Sequence, residues 1–254
     1  MPCALVLSAG GMFGAYQAGA WNVLSRRFQP DLVVGASVGA LNGWAIAGGC
    51  LPADLLAMWR DPATAGLMKS RLPSVPWKGF LDPTALARMV RDWYTRFKPR
   101  VPYSATVVEV PRLRLLRVPH ERITPELLMA SCALPFGFPP VRIDGRLYVD
   151  GGLLDILPVW AAAEMGATRV IAVNVLPRTP SRTLRAALRV VRLFGRKPAA
   201  VPGLEVVLVS PRTPLGSVRD ALTWSPETVR RWIQQGEEDA GAAPPGTRAA
   251  LDWC

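Results

Sequence analysis

Ser37 stands between Gly35 and Gly39 in Val33-Val34-Gly35-Ala36-Ser37-Val38-Gly39-Ala40-Leu41-Asn42, where an apolar run gives way to a helical pattern. This is the G-x-S-x-G spacing of a nucleophile elbow. A strand enters, a helix leaves, and the serine at the apex sits in strained backbone with its hydroxyl turned outward. Gly35 and Gly39 are required because a side chain at either would collide across so tight a turn. A serine that attacks a carbonyl also needs a group to take its proton and donors for the oxyanion.

In a Ser-His-Asp arrangement of this kind the base is a histidine late in the chain. The chain has a single histidine, His120, in Val118-Pro119-His120-Glu121-Arg122. That is a charged turn after a β pair, well ahead of any carboxylate that would orient it, and it reads as a surface histidine. A carboxylate is then the base. Asp144 and Asp150 both precede glycine, but Asp144 is explained by the two-residue hairpin turn it builds. Asp150 ends a strand and is followed by Gly151 and Gly152, whose missing side chains let another backbone approach. Strand ends feeding loops are where the sites of α/β sheets collect. A free carboxyl group, with a pKa of about 3.9, is a weak base. Dry surroundings would raise its proton affinity, and a hydrogen bond from the serine would fix its geometry.

The oxyanion donors are expected from the first loop. Gly10 and Gly11 let backbone N–H groups converge, and the helix starting at Gly14 adds its positive dipole. As a nucleotide cradle the loop fails, because Ala9 spoils G-x-G-x-x-G and no Gly-Lys-Ser/Thr is present.

The elements that must position these groups alternate. Strand patterns cover Cys3 to Ser8, Asp31 to Gly35, Arg169 to Val175 and Leu204 to Val209. Helical patterns cover Gly14 to Leu24, Val38 to Ala47, the stretch opened by Pro52, Pro83 to Tyr94, Pro125 to Cys132, Pro158 to Met165, Ser181 to Phe194 and the stretch opened by Ser225-Pro226. Ser104 to Val110 and Leu113 to Val118 form a β pair, and Val141 to Val149 a hairpin around Asp144-Gly145. Asp61 to Leu81 reads as one long loop, whose Trp77 and Phe80 are candidates to touch acyl chains or membrane. Strand–helix alternation points to an α/β fold with a largely parallel sheet covered on both faces. One domain is expected over residues 1–240, with a short mobile tail over 241–254.

Half of the 254 residues are hydrophobic, enough for a sizeable core. No run of about 18 uninterrupted apolar residues exists, which argues against a transmembrane helix. The first residues read as a buried strand rather than a signal peptide. Cys3, Cys50, Cys132 and Cys254 are scattered; with one histidine they are too few for a zinc site and read as reduced thiols of a cytoplasmic protein. No cofactor or metal is expected. The net charge of +11 and pI near 10.4 attract polyanions. Only four of the basic residues are lysines and Ala, Gly and Pro are abundant too, so the charge says little about a partner. Arg182, Arg185, Arg189, Arg192 and Arg196 recur at three- and four-residue steps with no acid between them, beside a stripe of Leu184, Leu188 and Val191. Such a helix docks its apolar stripe on the domain and turns its arginines to solvent or to anionic headgroups.

With these segments placed, the chain resembles the patatin-like phospholipases, a family of Ser-Asp lipid acyl hydrolases. Leu7-Ser8-Ala9-Gly10-Gly11-Met12-Phe13-Gly14 is similar to the family's glycine-rich oxyanion block and Gly35 to Asn42 to its nucleophile block. Ser131-Cys132-Ala133-Leu134-Pro135-Phe136-Gly137-Phe138-Pro139-Pro140-Val141 is similar to its third block, and Asp150-Gly151-Gly152 to its Asp-Gly-Gly. The resemblance implies a three-layer α/β/α fold, Ser37 as nucleophile, Asp150 as base, and Gly10, Gly11 and Met12 as the oxyanion loop. It also implies a lipid ester as substrate. From the residues themselves, nucleic acid is not an expected partner, and a cytoplasmic location with peripheral membrane contact through Arg182, Arg185, Arg189, Arg192 and Arg196 is expected. Two positions depart from the pattern: Ala9 replaces the first glycine, and Phe13 stands where a basic residue is common. The expected activity is hydrolysis of lipid esters. The alternatives are acyl transfer by the same pair, or lipid binding with weakened catalysis.

Overall fold

The computed structural model describes residues 1–70, 79–177, 182–196, 198 and 203–242. Among them eight strands make one sheet: β1 (Cys3–Leu7), β2 (Leu32–Ala36), β3 (Tyr103–Val110), β4 (Arg114–Pro119), β5 (Val141–Ile143), β6 (Arg146–Asp150), β7 (Arg169–Val173) and β8 (Glu205–Val209). Their order is β5-β6-β3-β2-β1-β7-β8, with β4 also paired to β3. The five strands from β3 to β8 in this order run parallel. The remaining three are antiparallel additions around β3. The sheet is therefore mixed, because the short links β3–β4 and β5–β6 can form only hairpins, not crossovers.

Eight helices cover the sheet: α1 (Gly14–Leu24), α2 (Val38–Ala47), α3 (Pro52–Arg60), α4 (Pro83–Arg96), α5 (Pro125–Ser131), α6 (Val159–Glu164), α7 (Arg182–Phe194) and α8 (Pro226–Gly241). Alternate residues of the central strands feed two cores. Cys3, Leu5 and Leu7 of β1 face the larger one with α1–α5 and α8, whereas Ala4 and Val6 face the smaller one with α6 and the half-buried Val191 of α7. This gives the three layers. Helix α1 is buried almost all round because α8 lies over it: a Cβ on Gly19 would strike the Ile233 carbonyl, and one on Gly236 the Tyr16 carbonyl.

The register around β3 decides where the ends of β2 and β6 meet. Strand β2 occupies one edge of β3 up to the pair Ala36–Thr106. The next residue of β3, Val107, pairs with Asp150, the last residue of β6. Two strands arriving from opposite directions thus end side by side on one edge.

Two expectations change. Asp61 to Leu81 is not all loop, since Pro62–Met68 is a 3-10 helix capped by Asp61; Trp77 lies outside the described residues. Cys3 is disulfide-bonded, which departs from four reduced thiols; Cys50 and Cys132 are free and buried. Helix α8 runs through Gly241, and 243–254 lie outside the described residues.

A buried polar network joins α1, α2 and α3. The Asn42 side-chain amide donates to Gln17 Oε1 (2.9 Å) and to the Gly14 carbonyl (3.0 Å), while its Oδ1 accepts from Trp59 Nε1 (3.0 Å). Asn42→Ala strands all three partners in a dry interior, so it should cost about 3 kcal/mol or more. Urea unfolding checks this, and a loss below about 1 kcal/mol would show that the partners find water instead.

Candidate active site

Ser37 links β2 to α2 at φ 55° and ψ −129°, a region that costs a non-glycine residue about 1–3 kcal/mol. Its surroundings hold it there. A Cβ on Gly35 would strike the Gly39 carbonyl oxygen, and one on Gly39 would strike the Leu7 carbonyl and lie 2.6 Å from the Ser8 oxygen. The elbow is thus wedged on the end of β1, as the collision argument expects. The Ser37 carbonyl accepts from Ala40 N–H (2.8 Å) and from the Cys132 thiol (3.2 Å).

Asp150 is 2% exposed. Its Oδ1 accepts the Gly152 N–H at 2.7 Å, and the Ser37 hydroxyl stands near enough to favour the charged form. Burial pushes the carboxyl group up to about 7, against the Ser37 hydroxyl and the Gly152 N–H, which hold it down. Its own N–H donates to the Ala133 carbonyl (3.0 Å). The glycines behind it are matters of contact. A Cβ on Gly151 would meet the Thr106 hydroxyl, and one on Gly152 would lie 2.6 Å from Ala9 Cβ.

The first loop closes the site. Ala9 N–H donates to Ile156 O (2.9 Å), Gln17 Nε2 to Ser8 O (2.7 Å), and Val175 N–H to Ser8 Oγ (2.9 Å). Gly11, at φ +56°, leaves room for the Ala221 carbonyl that a side chain would strike. Among the described residues no acceptor takes the N–H of Gly10 or Gly11. Both glycines line one cavity of about 170 Å³ with Ser37 and Asp150. The walls are apolar, built mainly by Met68, Leu134, Phe138, Ile156, Leu176 and Leu188. Met12 and Gly14 are not in that lining. Met12 is buried in the larger core, and Gly14 gives room to Trp59, whose Cζ2 would lie 2.5 Å from a Cβ. Phe13 is buried edge-on against Trp232, ring centroids 5.1 Å apart, so it supplies packing where the resemblance implies charge.

His120 lies away from this cavity. Its Nδ1 accepts from Tyr103 N–H at 3.4 Å, and Tyr103 pairs with Val33, four residues or about 13 Å of strand before Ser37. Sequence reasoning missed Cys132, which it placed in the third block without a role. The thiol lines the cavity and donates to the Ser37 carbonyl, and Ala133 holds Asp150, so one short segment ties both strand ends. Burial and then the Asp150 charge hold the thiol well above its ordinary range, which keeps it an S–H donor. The only signal was the run of small residues Ala130-Ser131-Cys132-Ala133, which permits close approach.

Of the basic series, Arg189, Arg192 and Arg196 are exposed, and the side chains of Arg182 and Arg185 lie outside the described ones. Among the described residues no helix is long and apolar enough to cross a membrane, and no cluster of His, Cys, Asp or Glu could hold a metal ion.

A family model described as patatin-like phospholipase matches residues 5–163, which include the first loop, Ser37, the Cys132 segment and Asp150. An uncharacterized NTE family protein of Mycobacterium tuberculosis is 29% identical over 190 residues, covering 68% of this chain and 48% of its own. The chain thus spans about half the length of that relative. Patatin-like phospholipase domain-containing protein 7 of Rattus norvegicus is 29% identical over 185 residues, covering 68% of this chain and 13% of its own. VipD from Legionella pneumophila superposes with a TM-score of 0.55 at 15% identity, over 99% of this chain and 67% of VipD, and so shares the fold. On the family match and the four blocks it covers, the chain belongs to the patatin-like phospholipase family.

Proposed function

We propose that the protein is a serine lipid acyl hydrolase that cleaves carboxylic esters through an acyl-enzyme on Ser37. The observation that carries this reading is that Ser37 and the buried Asp150 carboxyl group stand together in the wall of one apolar cavity. Asp150 takes the hydroxyl proton as Ser37 Oγ attacks the ester carbon. The N–H groups of Gly10 and Gly11 receive the oxyanion, each such donor being worth about 3–4 kcal/mol. Asp150 then returns the proton to the leaving alcohol, and Ser37 carries the acyl group. In the second half, water loses a proton to Asp150, attacks the acyl carbon, and releases the acid as the proton goes back to Ser37.

A carboxyl group near 7 suits this task, because it is both substantially ionised and strongly basic at neutral pH. The apolar walls fit an acyl chain and keep bulk water from the carboxylate. The two departures from the family pattern leave the donors alone: Ala9 packs on Gly152, Phe13 packs on Trp232, and the backbone of Gly10 and Gly11 is what faces the reaction.

A fluorophosphonate probe should label the protein, and Ser37→Ala should abolish labelling. Hydrolysis of a p-nitrophenyl ester should fall roughly 10³-fold or more in Asp150→Asn and stay unchanged in His120→Ala. A loss in His120→Ala as large as that in Asp150→Asn would end the two-residue mechanism.

Because the base must be ionised, kcat/KM should rise with pH along a limb centred near 7. A limb centred near 4, about the ordinary carboxyl value, would show that Asp150 is wet.

Stability should move the other way. Between the unfolded value of about 4 and the folded value of about 7, the native state holds a proton that the unfolded chain has lost. Wild-type stability therefore falls across that window and levels off above it, by on the order of 4 kcal/mol. Asp150→Asn escapes this loss, so its urea midpoint should exceed wild type at about pH 8, with the gap closing at about pH 5. Equal midpoints at both pH values would contradict a buried, ionisable Asp150.

A further inference from the structure

A helix that docks one apolar stripe normally shows polar residues elsewhere. Helix α7 does not. Its Leu188 lines the catalytic cavity and its Val191 packs on the smaller core, as the sequence pattern predicts. Yet Val190, Leu193 and Phe194 are 55%, 75% and 73% exposed and share a second side of the helix. Arg189 and Arg192 are exposed beside them, with Arg192 Nε donating to the Leu153 carbonyl at 3.3 Å, and no acid occurs anywhere in α7. More apolar surface stands free elsewhere. Leu134, which lines the cavity, is 41% exposed, Phe136 74% and Phe80 53%. The segments that carry them are tied together, since Phe80 N–H donates to the Phe136 carbonyl at 2.9 Å. Isolated exposed apolar residues are ordinary, but three on one side of a helix mark a partner.

We propose that Val190, Leu193 and Phe194 of α7, flanked by Arg189 and Arg192, seat the protein on an anionic lipid surface. Charge complementarity selects that occupant. Two copies meeting through α7 would bring arginines together with no acid on the helix to answer them. A nucleic acid would take the arginines and leave the apolar side in water. A bilayer with anionic headgroups takes both, with the apolar side chains at the acyl boundary and the guanidinium groups at the phosphates. Leu188, on the other side of the same helix, lines the cavity, so the element that meets the lipid also walls the site. The purpose of the contact rests on the hydrolase reading; its existence does not.

The test is co-sedimentation of the Ser37→Ala protein, which cannot turn over, with vesicles of phosphatidylcholine alone or mixed with phosphatidylglycerol. Binding should favour the anionic vesicles and weaken with salt. Leu193→Ser with Phe194→Ser should weaken it at least about tenfold, and Arg189→Glu with Arg192→Glu at least roughly thirtyfold. Thermal midpoints should hold, because these side chains are outside the core. Undiminished binding in the Leu193→Ser/Phe194→Ser protein, or equal binding to both vesicle types, would overturn the proposal. So would a dimer in size-exclusion chromatography that the same double substitution dissolves. Vesicle binding with no esterase activity in the wild-type protein would sink the hydrolase reading and leave this one standing.

Discussion

The site depends on two strands sharing one edge of β3. Strand β3 has eight residues and β2 only five, so β2 runs out at Ala36 with half of that edge still open. Strand β6 fills the open half from the opposite direction and stops at Asp150. In a purely parallel sheet all carboxyl ends point the same way, and sites form from the loops beyond them. Here an antiparallel strand delivers its own carboxyl end to the same place. Ser37 and Asp150 are therefore neighbours by register, not by the reach of a long loop, and backbone hydrogen bonds fix their separation on both sides.

In the proposed mechanism that placement serves a change of base strength. An aspartate in water is a far weaker base than imidazole, whose ordinary pKa of about 6.5 suits proton transfer at neutral pH. Burial pushes Asp150 up to about 7 and closes that gap. The dryness has to be maintained, and the segment of Cys132 and Ala133 contributes to both halves. Its thiol holds the strained Ser37 backbone from one side, and its carbonyl holds the Asp150 N–H. Because the thiol stays protonated, it donates without adding a second negative charge to a site that already has to shelter one.

Much of this was legible in the residues. Helix α2 begins and ends where the elbow pattern puts it. The hairpin between β5 and β6 turns on Asp144 at φ 49° and Gly145 at φ 76°, as a two-residue turn of this kind requires. Local chemistry dictates such features. The two antiparallel units were legible too, but not which edge of β3 receives β6, because that is set by pairing between residues some forty apart. The Met12 side chain marks a different limit: its block implies a backbone path, and spacing does not say that this side chain packs in the larger core. Helix α7 shows a third. Its inner stripe is readable from spacing, but Val190, Leu193 and Phe194 form a second apolar stripe, and only the surrounding fold decides which one is covered.

The rest of the architecture can be understood as what makes such a site tolerable. The Ser37 backbone stores about 1–3 kcal/mol and the sheltered carboxylate costs on the order of 4 kcal/mol at neutral pH, against a net stability of roughly 5–15 kcal/mol for a folded domain. A loosely packed protein would relax both, by letting the elbow unwind or water reach Asp150. Relaxation is opposed where the strain sits. Gly35 and Gly39 let α2 press on the end of β1, and Asn42 ties α2 to α1 and α3. Helix α8 lies so close over α1 that Gly19 and Gly236 have no space for a side chain. The strain at the elbow is therefore opposed by the larger core as a unit, through the close contacts that join α1, α2, α3 and α8.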